Sequence, residues 1–332
     1  MRASSNGSSQ HCVIWLDRHS HKNGGTTTRY IKDALARNGW LHKLGDHHTS
    51  AAQWRALLEH VSRLGDTDGC ERSGLLGKRF AIEAHELHDR ERVHDRQRSF
   101  ETLWVRAARA LRERPNGSCC KLVLTTRVRE PLDLYLSFYR WALLPRHPIH
   151  NQSQLFLQWA PPNLQSISLA WGFQASNDRA INGRLFARPL AAANTPAADS
   201  PHTPLGRIER WYAGWNATDA QRADAMLRDD FDLVWPIERH AAAMPLLARA
   251  LRLPAAALTR MLAVQKVVPS FGSEDGGKVG GERRSEIAEV CPDLRACRQH
   301  IDAIAPSDRL LFERAVQRFE QRLHPLQHAL SV

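Results

Sequence analysis

The chain has 332 residues, 42% of them hydrophobic, which is enough for one large domain or two small ones and gives no reason to expect a disordered protein. Lys and Arg total 46 against 35 Asp and Glu, for a formal charge of +11 and a pI near 9.8, so the surface field favours anionic partners: nucleic acid, a charged nucleotide or a sulfated polymer. No apolar run approaches the length of a membrane span, MRASSNGSSQ is neither a signal peptide nor an anchor, and the chain reads as soluble.

Residues 1–11 read as a disordered leader, and the rest, 12–332, as one domain. The apolar, partly β-branched run 13–16 (VIWL) predicts a buried strand, and Tyr30, Ile31, Ala34 and Leu35 mark a following helix. Between them lies HKNGGTTT. Gly24 and Gly25 lack a Cβ, so the backbone there can take positive φ and approach a ligand; Thr26 and Thr27 supply hydroxyls at a helix start. The free amides of such a start attract an anion, and Lys22 adds a mobile positive charge. The usual nucleotide-hydrolase form GxxxxGK[ST] is absent, and a plain glycine turn is the alternative reading.

Residues 40–44 suggest a short strand and 51–64 a helix with a stripe through Trp54, Leu57, Leu58 and Val61. The segment 66–77 reads as a turn-rich connection. A second buried strand at 79–84 (RFAIEA) ends in His85, Glu86 and His88, and 99–114 repeats the helical pattern. A third strand, 120–126 (CKLVLTT), leads to Arg127, Arg129 and Glu130 and a helix after Pro131. Strands alternating with helices predict a parallel sheet with its ligand crevice beyond the carboxyl ends of the strands. Further on, 147–162 reads as an insertion with a helical turn or two, and 187–204 and 270–284 as flexible loops. Helices are expected at 219–228, 237–253 and 307–323, with a late strand at 231–235.

The six cysteines, Cys12, Cys70, Cys119, Cys120, Cys291 and Cys297, lack zinc-site spacing and are too sparse for a disulfide scaffold, with Cys291 and Cys297 candidates for a local pair. His19, His21, His47 and His48 fit no metal-ligand spacing and read as surface residues; no metal is expected. Phe138, Tyr139 and Trp141 read as helix-face packing rather than a shelf for a base, and the basic run 90–98 as a solvated helix start.

The stretch TRVREPLDLYLSFYRWA sets Arg129, Glu130 and Pro131 together, with Ser137 eight and Tyr139 ten residues after the arginine. It resembles the 3′-phosphate-binding strand and helix of sulfotransferases that use PAPS (3′-phosphoadenosine 5′-phosphosulfate), in particular the Golgi carbohydrate O-sulfotransferases. HKNGGTTT is similar to that family's 5′-phosphosulfate loop. Residues 231–239 (FDLVWPIER) and the final helix are weaker likenesses. Leu134 stands where the family usually has a basic residue, and 147–204 and 270–284 have no counterpart.

The resemblance implies an α/β, three-layer P-loop NTPase-like domain with a central parallel sheet flanked by helices, and an O-sulfotransferase that moves the sulfuryl group of PAPS to an acceptor hydroxyl of a carbohydrate. Lys22, Asn23, Gly24, Gly25, Thr26 and Thr27 would hold the 5′ end, and Arg129 and Ser137 the 3′-phosphate. Lys22 would also be catalytic. His85 stands where uronyl 2-O-sulfotransferases carry their catalytic base, with Glu83, Glu86 and His88 as rivals. The family implies the Golgi lumen, although no anchor is present, and needs no metal. A P-loop phosphotransferase and a basic nucleic-acid-binding protein are the alternatives; the first lacks a lysine after the glycines, the second a stacking platform.

Overall fold

In the computed structural model the described residues are 12–20, 23–44, 50–65, 67–84, 99–114, 118–142, 156–157, 160, 162–171, 215–267 and 290–330. Five parallel strands form one sheet: β1 (Cys12–Arg18), β2 (His42–Lys43), β3 (Arg79–Ala84), β4 (Cys120–Val128) and β5 (Leu233–Pro236), in the order β2-β3-β1-β4-β5. The helices are α1 (Gly25–Arg37), α2 (Ala51–Leu64), α3 (Thr67–Arg72), α4 (Arg106–Arg112), α5 (Pro131–Ala142), α6 (Leu164–Trp171), α7 (Ala217–Asp229), α8 (His240–Ala250), α9 (Ala255–Val267), α10 (Leu294–Ile304) and α11 (Pro306–Leu330). A π-helical turn, Glu101–Val105, runs into α4, and a 3-10 turn, Ile237–Arg239, into α8.

The alternation of side chains along β1 divides the core in two. Cys12, Ile14 and Leu16 face α2, α4 and α7, while Val13 and Trp15 face α1, α8 and α9. A parallel strand covered on both sides must be apolar on both, which explains why VIWL reads as a continuous run rather than an alternating one. α11 runs along β5 and contributes to both faces, Leu311 and Ala315 on one and Phe319 and Leu323 on the other. A third cluster joins α5 and α10 through Leu132, Tyr135, Phe138, Cys297 and Ile301.

The expected strands form, with β1 and β4 each longer than the apolar run suggested. Of the apolar residues assigned to the first helix, Ile31, Ala34 and Leu35 are buried, but Tyr30 is 49% exposed. The connection at 66–77 contains α3, which is too short to show a period. α6, α9 and α10 were not anticipated either.

The cysteine expectation is corrected. All six are paired, Cys12 with Cys120, Cys70 with Cys119 and Cys291 with Cys297, and only the last pair is local in sequence. Cys12 and Cys120 open β1 and β4 in register, so the first four cysteines meet in one buried cluster at the amino edge of the sheet. Among the described residues no helix is long and apolar enough to cross a membrane.

Candidate functional site

β1 feeds a chain path that runs to β2 beyond β3, whereas β4 leads to β5 on the other side. Adjacent strands whose connections diverge leave a crevice at their carboxyl ends, here beside Arg18 and Val128. The two sequence segments singled out for anion binding, the loop after β1 and the strand end at Arg129, follow the carboxyl ends of these two adjacent strands. Lys22, His21, His47, His48, His85, Glu86, His88, the run 90–98 and the loops 187–204 and 270–284 lie outside the described residues.

The loop returns into α1 through Gly24, which caps the helix with φ +71°, a left-handed value suited to glycine. Two close approaches demand the glycine pair. A Cβ on Gly24 would sit 2.5 Å from Ile237 Cδ1, and one on Gly25 would sit 1.6 Å from the His19 ring. Gly24 offers no side-chain acceptor and the first turn of α1 has no acidic residue, so the positive end of the helix faces the crevice without a counter-charge from its own turn. Thr26 is exposed there, while Thr27 is buried.

Asn23 is buried and ties the loop to β4. Its Nδ2 donates to the Arg127 carbonyl at 3.1 Å and to Gln165 Oε1 at 3.2 Å. Gln165, on α6, also accepts from the Arg129 amide at 2.7 Å and donates from Nε2 to the Arg129 carbonyl at 3.0 Å. Asn23 Oδ1 and Ser20 Oγ are buried without a hydrogen-bond partner among the described residues, and both border a small cavity shared with Gln165, Leu134 and Phe138. Arg129 is 3% exposed. Ser137 is half-buried on the second turn of α5.

The acidic and proline residues beside Arg129 have local structural work. Glu130 Oε2 accepts from the Asp133 amide at 3.0 Å, capping α5, and Pro131 occupies the first helical position, where its missing N–H costs nothing. Glu130 Oε1 also takes a hydrogen bond from Arg309 Nη2 at 2.6 Å. Phe138 and Tyr139 are buried, Tyr139 packing edge-on against Phe156, in agreement with the packing reading. Leu134 is likewise core.

Below the crevice lies an ionic network that the sequence reading missed. Lys32 Nζ donates to Asp17 Oδ2 at 3.0 Å and to Glu83 Oε2 at 2.6 Å, and Arg127 grips Asp17 through both terminal nitrogens. Arg127 also donates to Thr28 Oγ1. Burial pushes the Asp17 carboxyl up, but Arg127 and Lys32 outweigh it and hold it below its ordinary value. Glu83 behaves likewise: burial opposes ionisation, while the His19 hydrogen bond and the Lys32 charge hold its carboxyl far below the usual range. With Arg29 on Oε1 at 3.1 Å as well, Glu83 is a committed ion-pair member and a weak base.

His19 is the clearest departure from expectation. Read as a surface residue, it is 6% exposed, its Nδ1 lies 3.0 Å from Glu83 Oε1 and its ring packs on Gly25. The one available signal was its place: it follows directly on a buried strand, at the turn where the chain enters the glycine loop. Arg18, also buried, donates to the carbonyls of Ala84 and Ser168 and lies over the Phe100 ring at 4.5 Å.

No family model matches the chain, and no curated protein matches it. What the site defines by itself is a class of geometry: an α/β protein with a five-stranded, all-parallel sheet, a glycine-turned helix start and a buried arginine sharing one crevice.

Proposed function

We propose that the protein is a PAPS-dependent O-sulfotransferase with a P-loop-like core, transferring the sulfuryl group of PAPS to a hydroxyl of a carbohydrate acceptor. The observation that carries this reading is the convergence of two segments about 100 residues apart in sequence: Asn23 of the loop reaches the Arg127 carbonyl, and Gln165 links it to Arg129. A nucleotide with phosphates at both its 5′ and 3′ positions needs two anion sites on one crevice. A helix start with no acidic residue in its first turn and a buried guanidinium suit that demand.

In this reading Gly24, Gly25, Thr26 and Thr27 present amides and hydroxyls to the 5′-phosphosulfate, and Asn23 orders the loop. Lys22 offsets the charge that grows on the bridging oxygen as its bond to sulfur breaks and the electron pair passes to the 5′-phosphate. Arg129 and Ser137 bind the 3′-phosphate. The acceptor oxygen forms the new bond to sulfur, and its proton passes to His85; Glu86 and His88 are the remaining rivals, since Glu83 is held in ion pairs. No metal takes part in this scheme. Six paired cysteines suit an oxidising compartment such as the Golgi lumen, which the resemblance implies.

Calorimetry with PAP (3′-phosphoadenosine 5′-phosphate) tests the reading. Saturable binding, competed by PAPS, is expected; no binding to the purified protein ends it. Labelled PAPS offered with a panel of glycans, peptides and small alcohols then identifies the acceptor.

A further inference from the structure

Gln165 belongs to neither sequence segment, yet its side chain contacts both. It is 1% exposed, and all of its polar capacity on this side is directed at the crevice: Oε1 accepts from Asn23 Nδ2 and the Arg129 amide, and Nε2 donates to the Arg129 carbonyl. A side-chain amide that pairs with both backbone groups of one residue acts as a single-residue strand partner, and it fixes where that backbone can go. β4 ends at Val128, so Arg129 has left the ladder that would otherwise hold it. Gln165 replaces that ladder.

Gln165 is itself held from behind. Asp308, at the start of α11, accepts from the Gln165 amide at 2.9 Å and from the Ser166 amide at 2.7 Å, capping α6 from another helix. Tyr135 Oη, on α5, accepts from the Leu164 amide at 3.0 Å. The first turn of α6 is thus anchored to the helix that follows Arg129 and to α11. Asn23 is held from two sides, by Gln165 Oε1 and by the Arg127 carbonyl.

We propose that Gln165 is the positioning residue that joins the two halves of the crevice, holding the Arg129 backbone in register with the Asn23 loop so that one nucleotide can engage both anion sites. The inference rests on the sulfotransferase reading for the identity of the ligand. It reaches beyond it in assigning a role to a helix that neither motif includes.

The test compares Gln165→Leu with wild type by calorimetry against two probes, PAP and 5′-AMP, with a thermal melt to show that the variant is folded. 5′-AMP lacks the phosphate assigned to Arg129. Removing three hydrogen bonds around a buried backbone is expected to weaken PAP about tenfold or more, and 5′-AMP by less than about threefold. Should Gln165→Leu not fold, Gln165→Glu replaces it; that variant keeps the acceptor for Asn23 and the Arg129 amide but sets an oxygen against the Arg129 carbonyl, and the same difference is expected. PAP binding within about twofold of wild type, or an equal loss for both probes, overturns the inference and leaves the sulfotransferase reading standing. Absence of PAP binding by the wild-type protein overturns both.

Discussion

At the scale of single residues, the site depends on atoms that are absent as much as on those present. Gly24→Ala would force φ +71° on a residue with a Cβ and press that Cβ toward Ile237, and Gly25→Ala would drive the His19 ring off Glu83. Each is expected to cost about 1–3 kcal/mol and to weaken PAP binding, read by urea denaturation and calorimetry. Lys32→Met would leave Asp17 and Glu83 facing each other without their shared cation, at an expected cost of about 3–5 kcal/mol. Because both carboxyls have folded values below their ordinary 3.8 and 4.5, the stability they contribute is present above that range and is lost as the pH falls below it. Acid denaturation of wild type should therefore steepen below about pH 4, and Lys32→Met should lose part of that component, since Arg127 still holds Asp17 and His19 still holds Glu83. Lys22→Ala, by contrast, is expected to leave the melting temperature unchanged and to abolish sulfuryl transfer in a labelled-PAPS assay.

At the scale of elements, α6 is the least legible and among the most consequential. Its N-terminus is closed by Asp308 from α11, a carboxylate with no solvent exposure. Burial pushes that carboxyl up to about 6, against the hydrogen bonds from Gln165, Ser166 and Tyr135. A folded value above the ordinary 3.8 has the opposite sign from Asp17: its contribution is complete below that value and is lost as the pH rises through about 6. Asp308→Asn removes the titration but also part of the cap. Its stability relative to wild type should improve between pH 4 and 7, by an amount on the order of 2–3 kcal/mol, in urea denaturation at stepped pH. A flat difference across that range would show that Asp308 does not titrate as placed.

At the scale of the whole molecule, the crevice lies at the carboxyl ends of β1 and β4 and the cysteine cluster at their amino ends. Cys12–Cys120 closes a separation of 108 residues and Cys70–Cys119 one of 49, so both restrict the unfolded chain strongly. The purified protein is expected to lack reactive thiols and to weigh six hydrogens less than its reduced form by intact mass, two for each of three disulfides. Reducing the two bonds at the sheet edge should cost about 3–5 kcal/mol each, seen as a fall in the denaturation midpoint. Free thiols in protein made in an oxidising compartment would contradict the pairing.

The periodic segments of the chain were legible because burial leaves a mark on neighbouring residues. VIWL and the centres of RFAIEA (Ala81, Ile82) and CKLVLTT (Leu122, Val123, Leu124) are apolar on both sides since both sides are covered, and the stripe of Trp54, Leu58 and Val61 on α2 repeats at the helical period. The two glycines and the Arg-Glu-Pro run were legible as local chemistry. The sheet order, however, depends on which strands pair across long separations, and so does the neighbourhood it creates. His19 could not be told from a surface histidine until Glu83 lay beside it, nor could Gln165 be set apart from other glutamines until α6 brought it to Arg129. Cys119 and Cys120 looked unpaired because their partners are 49 and 108 residues away. Sequence alone determined the strands and the faces of the most regular helices, since each is set by neighbours along the chain. Only the tertiary structure decided which of those residues meet, because the ion pairs, the Gln165 bridge and the disulfides are contacts between distant segments that exist only once the sheet is assembled.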